Sequence, residues 1–333
     1  MSQKIRFPRI SSRAFEHSLD RTALQALRGV KGFDWVVRTF MNAVGERRLR
    51  LFFLGSAVRV TEGQYARLHA LFEEACAVLD LEEKPELFIT NDFITNAAAI
   101  GVDKPFVILT SSLVDMMSDE EIQCVMGHEL GHVLCGHALY TTLLMLLVRM
   151  WYLFVGVPGG LYAALAIRLA LLEWSRKAEY SSDRAGLLVS QDLEVSHRVD
   201  MKLAGGRHAD QMSVDEFEKQ AQEYEAGGDL LDGVLKLMLV MNRTHPFPVL
   251  RVAELSKWVE SGEYQKILDG DYERRDSAAV DTWLDNLQKT ASSYRESLSG
   301  SADPLLSTLK DLGKGAQAAG SEFVAFLRRS AGR

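Results

Sequence analysis

From Ala138 to Trp174 the chain reads ALYTTLLMLLVRMWYLFVGVPGGLYAALAIRLALLEW, and only Arg149, Arg168 and Glu173 are charged. An apolar run of this length must be a helix pair or a membrane span, and Pro158, Gly159 and Gly160 break it in the middle, where a helix has to turn. Two arms result. At 1.5 Å per residue His137–Val157 rises about 30 Å and Gly160–Glu179 about 29 Å, so the return arm ends at the level where the first began. A full membrane crossing is disfavoured, because Arg149 and Arg168 sit at matching heights and the uncharged segments beyond them are too short to span. Three placements stay open: packed on the protein body, buried between subunits of a homo-oligomer, or with residues 150–167 dipping into one leaflet as a peripheral membrane contact.

The run matters because of what stands at its two ends. Immediately before it lies CVMGHELGHVLCGH, Cys124 to His137, and at the end of the return arm lies EYSSD, Glu179 to Asp183. Ser118 followed by Glu121 is a capping-box pattern, which predicts a helix from near Asp119 through His132. His128 and His132, four apart, then project from one face and can converge on one ion, with Glu129 at the edge of that face. Zinc held by two imidazoles takes a third protein ligand and leaves a fourth position for water. The hairpin returns Glu179 to supply it, and Asp183, one turn further on, can orient a ligand histidine. His137 is the weaker candidate ligand, lying almost three turns from His128.

DEEIQCVMGHELGHVLCGH, EYSSDRAGL and RTHPFPVLRVAEL resemble, in order, three signatures of the zinc metallopeptidases of the HtpX and CAAX-prenyl-protease type, peptidase family M48 of the gluzincins. The resemblance extends from about Arg9 to Tyr272. It implies one Zn2+ per chain held by His128, His132 and Glu179, Glu129 as general base, Asp183 behind the metal, and hydrolysis of protein or peptide substrates. His245, fixed by Pro246, is the expected donor to the developing oxyanion. The family places the TNAAAIG segment above the metal, so Asn96, Ala97 and Ala98 are expected to bind an extended substrate by strand addition. Arg251 is expected to pair with a carboxylate near the site. Membrane-embedded relatives carry clear hydrophobic spans, which this chain lacks apart from the arginine-bearing hairpin, so the soluble or peripheral branch is the closer likeness. The competing reading is a catalytically silent scaffold of the same shape, acting as a partner or membrane-surface adaptor.

The expected fold is α+β and mainly α-helical: a gluzincin core with a small sheet over the HExxH helix, the apolar hairpin, and a helical C-terminal appendage. Helical periodicity covers Arg21–Leu54 and Glu62–Leu81, and PELFIT, TNAAAIG and KPFVILT read as short strands. Ser213 and Glu216 suggest a second capping box, and Asp229–Met241 an apolar helix. These elements divide the chain into a basic N-terminal helical segment (1–60), a metallopeptidase domain (61–273) and an amphipathic or flexible appendage (274–333).

Charge is uneven. Residues 1–60 carry twelve Lys or Arg against four acidic groups, so a net charge of -7 leaves +8 there and -15 elsewhere. Docking of this basic segment on the chain's own acidic body is the favoured reading, ahead of an anionic membrane. Nucleic acid is excluded as a partner on the absence of any aromatic-interleaved basic stripe or reader motif. The opening residues lack the apolar run of a secretory signal, and Cys76, Cys124 and Cys135 show no paired spacing. Both point to a reducing, cytoplasmic setting, with peripheral attachment at the inner face of the membrane as the variant.

Overall fold

A computed structural model of the protein describes residues 4–28, 46–101, 104–149, 160–226 and 245–275. The expected apolar helix at 229–241, the hairpin tip at 150–159 and the appendage beyond residue 275 lie outside them.

The N-terminal segment is part of the body. Phe7, Ile10 and Phe15 are fully buried in the main core, the Phe7 amide donates to the Val78 carbonyl (2.9 Å), and Ser11 donates to Glu273 (2.9 Å). These described contacts are apolar burial and backbone hydrogen bonds. α1 (Ser18–Arg28) follows, and α2 (Glu46–Ser56) leads into a two-residue strand, β1 (Val58–Arg59), too short to leave a periodic signal. α3 (Ala66–Val78) buries Leu68, Phe72, Ala75 and Cys76.

All three apolar runs become strands: β2 (Glu86–Thr90), β3 (Ala97–Ile100) and β4 (Phe106–Thr110). The sheet order is β1-β2-β4-β3, with β2 parallel to β4 and β3 antiparallel to it. Every residue of β4 is buried, as a central strand covered on both faces requires. Among the described residues β3 is an edge, paired only with β4.

After α4 (Ser111–Met116) comes α5 (Asp119–Leu134), then α6 (His137–Arg149) at 91° to it. Gly136, at φ +71°, makes that corner in a left-handed conformation that costs glycine little. α7 (Gly160–Ser190) is the return arm and packs on α6, α5 and α1. Leu143, Leu144, Leu147, Leu171, Leu172 and Trp174 are buried on the two arms, so the hairpin bases rest on protein. No single helix among the described residues is long and apolar enough to cross a membrane.

α8 (Leu193–Gly205), α9 (Val214–Ala226), α10 (Pro248–Glu260) and α11 (Glu263–Leu268) close the far side. Only half of the second capping box forms, with the Glu216 amide donating to the Ser213 hydroxyl at 3.5 Å. The fold is thus α+β and mainly helical, with α5 packed between the edge strand β3 and α7.

Candidate active site

α5 begins as the sequence expects. The Glu121 amide donates to Ser118 Oγ at 3.3 Å and the Ser118 amide to Glu121 Oε2 at 2.7 Å, closing a reciprocal capping box. Asp119, Glu120 and Glu121 occupy the first turn, where the helix dipole favours negative charge. The helix then runs through the core, burying His128, Glu129 and His132. It lies so close to α7 because Gly127 and Gly131 face it: a Cβ on Gly131 would stand 2.7 Å from Ala185 Cβ, and one on Gly127 2.6 Å from Val189 Cβ.

This close crossing brings Glu179, 2% exposed, to the two histidines. His128 Nε2 and His132 Nε2 are 3.2 Å apart, Glu179 Oε2 is 3.5 Å from the first and Oε1 3.4 Å from the second. A tetrahedral zinc site with bonds of about 2.0–2.1 Å has donor–donor edges of about 3.3–3.4 Å, which these separations bracket. The donor set therefore fits a metal ion.

Around the three donors, the other sequence-predicted residues fall into distinct places. Asp183 accepts from His128 Nδ1 at 2.9 Å, which turns the Nε2 lone pair inward. Arg251 holds Asp183 with Nε at 2.9 Å and with a second, shorter bond from Nη2, and its Nη1 lies 3.1 Å from Asp200. His245, half-exposed, sets Nδ1 2.6 Å from Glu179 Oε2. Glu129 receives the Ala99 backbone amide, while its buried Oε2 has no hydrogen-bond partner among the described residues. Asn96 and Ala97 line the cleft over the metal donors. Ala98 does not: its methyl packs with Phe53, Phe88 and Phe106 on the opposite face, as strand alternation demands. Thr110 donates its amide to the Asn96 carbonyl, so by alternation Ala98 also points its backbone at β4, and Ala97 and Ala99 point theirs outward.

Charge is graded across the site. Burial opposes protonation of His128, yet Asp183 and Glu179 raise it to about 10. Burial depresses His132 to about 4 and raises Glu129 to about 7, close to where a proton acceptor works best at neutral pH. Glu179 stays well below the ordinary carboxylate range despite its burial, through His245, His128 and His132. Asp200 is pushed up to about 7, chiefly by burial.

Three residues take places that sequence reasoning does not give. His137 is no ligand candidate here, since its Nδ1 faces His132 Nδ1 at 3.0 Å, behind the donor cluster. Ala99 lies within TNAAAIG with nothing to mark it from its neighbours and Asp200 carries no motif; the packing of β3 on α5 and of α10 on α8 gives their places.

Residues 62–259 match the family model described as Peptidase family M48. The plastoglobule-localized metallopeptidase 48, chloroplastic, of Arabidopsis thaliana is 35% identical over 260 residues, 76% of this chain and 74% of its own. A protease HtpX homolog of Polynucleobacter necessarius is 24% identical over 262 residues, 70% of this chain and 90% of its own. The metalloprotease YcaL of Escherichia coli is 44% identical over 54 residues, 16% and 20% of the two chains. No solved structure is a significant match. The match to the family model spans more than half of the chain and encloses α5, the end of α7 and α10, and on that ground the chain belongs to peptidase family M48, metalloproteases that act on proteins or peptides and whose metal is generally zinc.

Proposed function

We propose that the protein is a zinc-dependent endopeptidase in which His128, His132 and Glu179 hold the metal and Glu129 is the general base. The observation that carries this reading is the convergence of the three donor side chains, whose ligand atoms all lie within 4.8 Å of one another. A zinc ion held there supplies Lewis acidity toward the scissile carbonyl and makes a water easier to deprotonate.

The remaining chemistry belongs to the chain. Glu129 takes the proton of the attacking water on its unpartnered Oε2 and hands it to the leaving nitrogen, while the Ala99 amide fixes the carboxylate. Asp183, itself clamped by Arg251, keeps His128 in one tautomer. Glu179 favours the protonated form of His245, so that one ring N–H is given to Glu179 and the other is the donor offered to the developing oxyanion. The substrate lies extended along β3, pairing with the outward backbone groups of Ala97 and with the Ala99 carbonyl, with Asn96 at the rim. The metallopeptidase unit is residues 61–273, with the basic segment 1–60 docked on it and 274–333 appended.

Two variants test this assignment. Glu129→Gln keeps the shape and removes the base, so it retains metal and fold and loses proteolysis; cleavage at the wild-type rate would sink the assignment. Glu179→Ala lowers zinc content by elemental analysis, and unchanged stoichiometry would reject it as a ligand.

A further inference from the structure

Behind His132 the polar contacts continue away from the cleft. His132 Nδ1 meets His137 Nδ1 at 3.0 Å, and His137 Nε2 lies 3.0 Å from Oδ2 of Asp20. Asp20 is 1% exposed and sits in the first turn of α1. Trp174 Nε1 donates to its Oδ1 at 3.1 Å and Ser181 Oγ to its Oδ2 at 2.6 Å. Both donors belong to α7, the helix that also carries Glu179. The same end of α1 is fastened a second time, by the His17 amide donating to Ser181 Oγ at 2.9 Å and by His17 Nε2 beside Glu254 at 3.1 Å.

Proton positions along this row follow from donor chemistry. An ionised carboxylate only accepts, so His137 Nε2, 3.0 Å from Asp20 Oδ2 though not aligned on it as a hydrogen bond, is the ring nitrogen that carries the hydrogen. A neutral ring then has Nδ1 as its acceptor, which places the next hydrogen on His132 Nδ1 and leaves His132 Nε2 as a lone pair. That lone pair is the one aimed at His128 and Glu179. His128 obtains the same result from Asp183 directly; His132 obtains it through an intervening ring.

We propose that Asp20, acting through His137, is a positioning residue of the metal centre, so that the N-terminal segment completes the site rather than merely covering the body. Asp20 lies upstream of residue 62, where the match to the family model begins, so this support comes from outside the matched domain. The proposal rests on His132 being a metal ligand. Its local setting has no other explanation in substrate binding, since neither Asp20 nor His137 lines the cleft.

The test measures zinc affinity of the full chain by chelator competition, and the absorption spectrum of the cobalt-substituted protein, for wild type, Asp20→Asn, His132→Ala and Glu254→Gln. Loss of a carboxylate behind a ligand histidine lowers metal affinity about tenfold to a hundredfold. Asp20→Asn is expected to fall by that factor and to alter the cobalt spectrum, while the metal-free protein keeps its wild-type circular dichroism. Glu254→Gln, which loosens α1 without touching Asp20, is expected to stay within twofold of wild type. An Asp20→Asn affinity within twofold of wild type overturns the proposal, as does an equal loss in Glu254→Gln. If Asp20→Asn does not fold, His137→Gln poses the same question from the middle of the row, and a wild-type affinity there overturns it. His132→Ala separates the two readings: loss of zinc in that variant with none in Asp20→Asn defeats only the role of Asp20, whereas wild-type zinc binding in His132→Ala defeats the site itself.

Discussion

Gly131→Ala is a one-methyl change at a position that touches neither metal nor substrate, and it should nevertheless disable the enzyme. The added Cβ would stand 2.7 Å from Ala185 Cβ and 3.1 Å from Ser182 Cα, against ordinary carbon contacts of about 3.5–4.0 Å. Both obstacles are on α7, and one is backbone, so α7 must retreat by about 1 Å. Glu179 is one turn from Ser182 and retreats with it, opening donor separations of 3.4 and 3.5 Å to beyond 4 Å. A misplacement of about 1 Å costs about a hundredfold in rate. Stability changes far less, because overpacking costs about 1–3 kcal/mol while alanine gains about 1 kcal/mol of helix propensity over glycine. The assay is kcat/KM on a cleavable peptide beside zinc affinity and thermal unfolding. About a hundredfold loss of kcat/KM with a melting shift of only a few degrees is expected. A variant with wild-type kcat/KM, made more heat-resistant by its alanine, would refute the idea that the glycine sets the distance between ligand helices.

Arg251→Met leaves the buried Asp183 and Asp200 without their shared cation, and should lower unfolding free energy by about 3–5 kcal/mol in a denaturant titration; a loss under about 1 kcal/mol would show that the carboxylates find other partners. Thiol reagents should leave the folded protein active and unlabelled, because all three cysteines are buried and burial pushes Cys76 and Cys124 up to about 12 and raises Cys135 well above the ordinary thiol range. Labelling of the native chain within minutes would contradict that burial.

The parts of this molecule that are legible in the sequence are those in which local spacing and spatial role coincide. Ser118 and Glu121 announce a helix start, His128 and His132 share a face by their spacing alone, and the two equal arms around Pro158 bring Glu179 back without any tertiary knowledge. The strands are legible because their runs are short and punctuated. What stays hidden depends on contacts between distant segments. Asp20 is a single acid in an amphipathic helix, indistinguishable by pattern from a solvated one, until α1 is seated on α7. His137, five residues after His132, lies across a glycine corner, so helical spacing misplaces it. Ala98 sits inside the right segment, but only the register against β4 tells which residues face outward.

If a substrate adds to the open border of β3 as proposed, that border decides what kind of molecule can be cut. A partner that must lie flat beside it, exchanging main-chain hydrogen bonds, has first to surrender its own secondary structure over several residues. On that proposal well-folded proteins would pass by untouched, and a chain would become a substrate where it frays or misfolds. Conformational integrity would then be a criterion by which such a protease distinguishes one polypeptide from another.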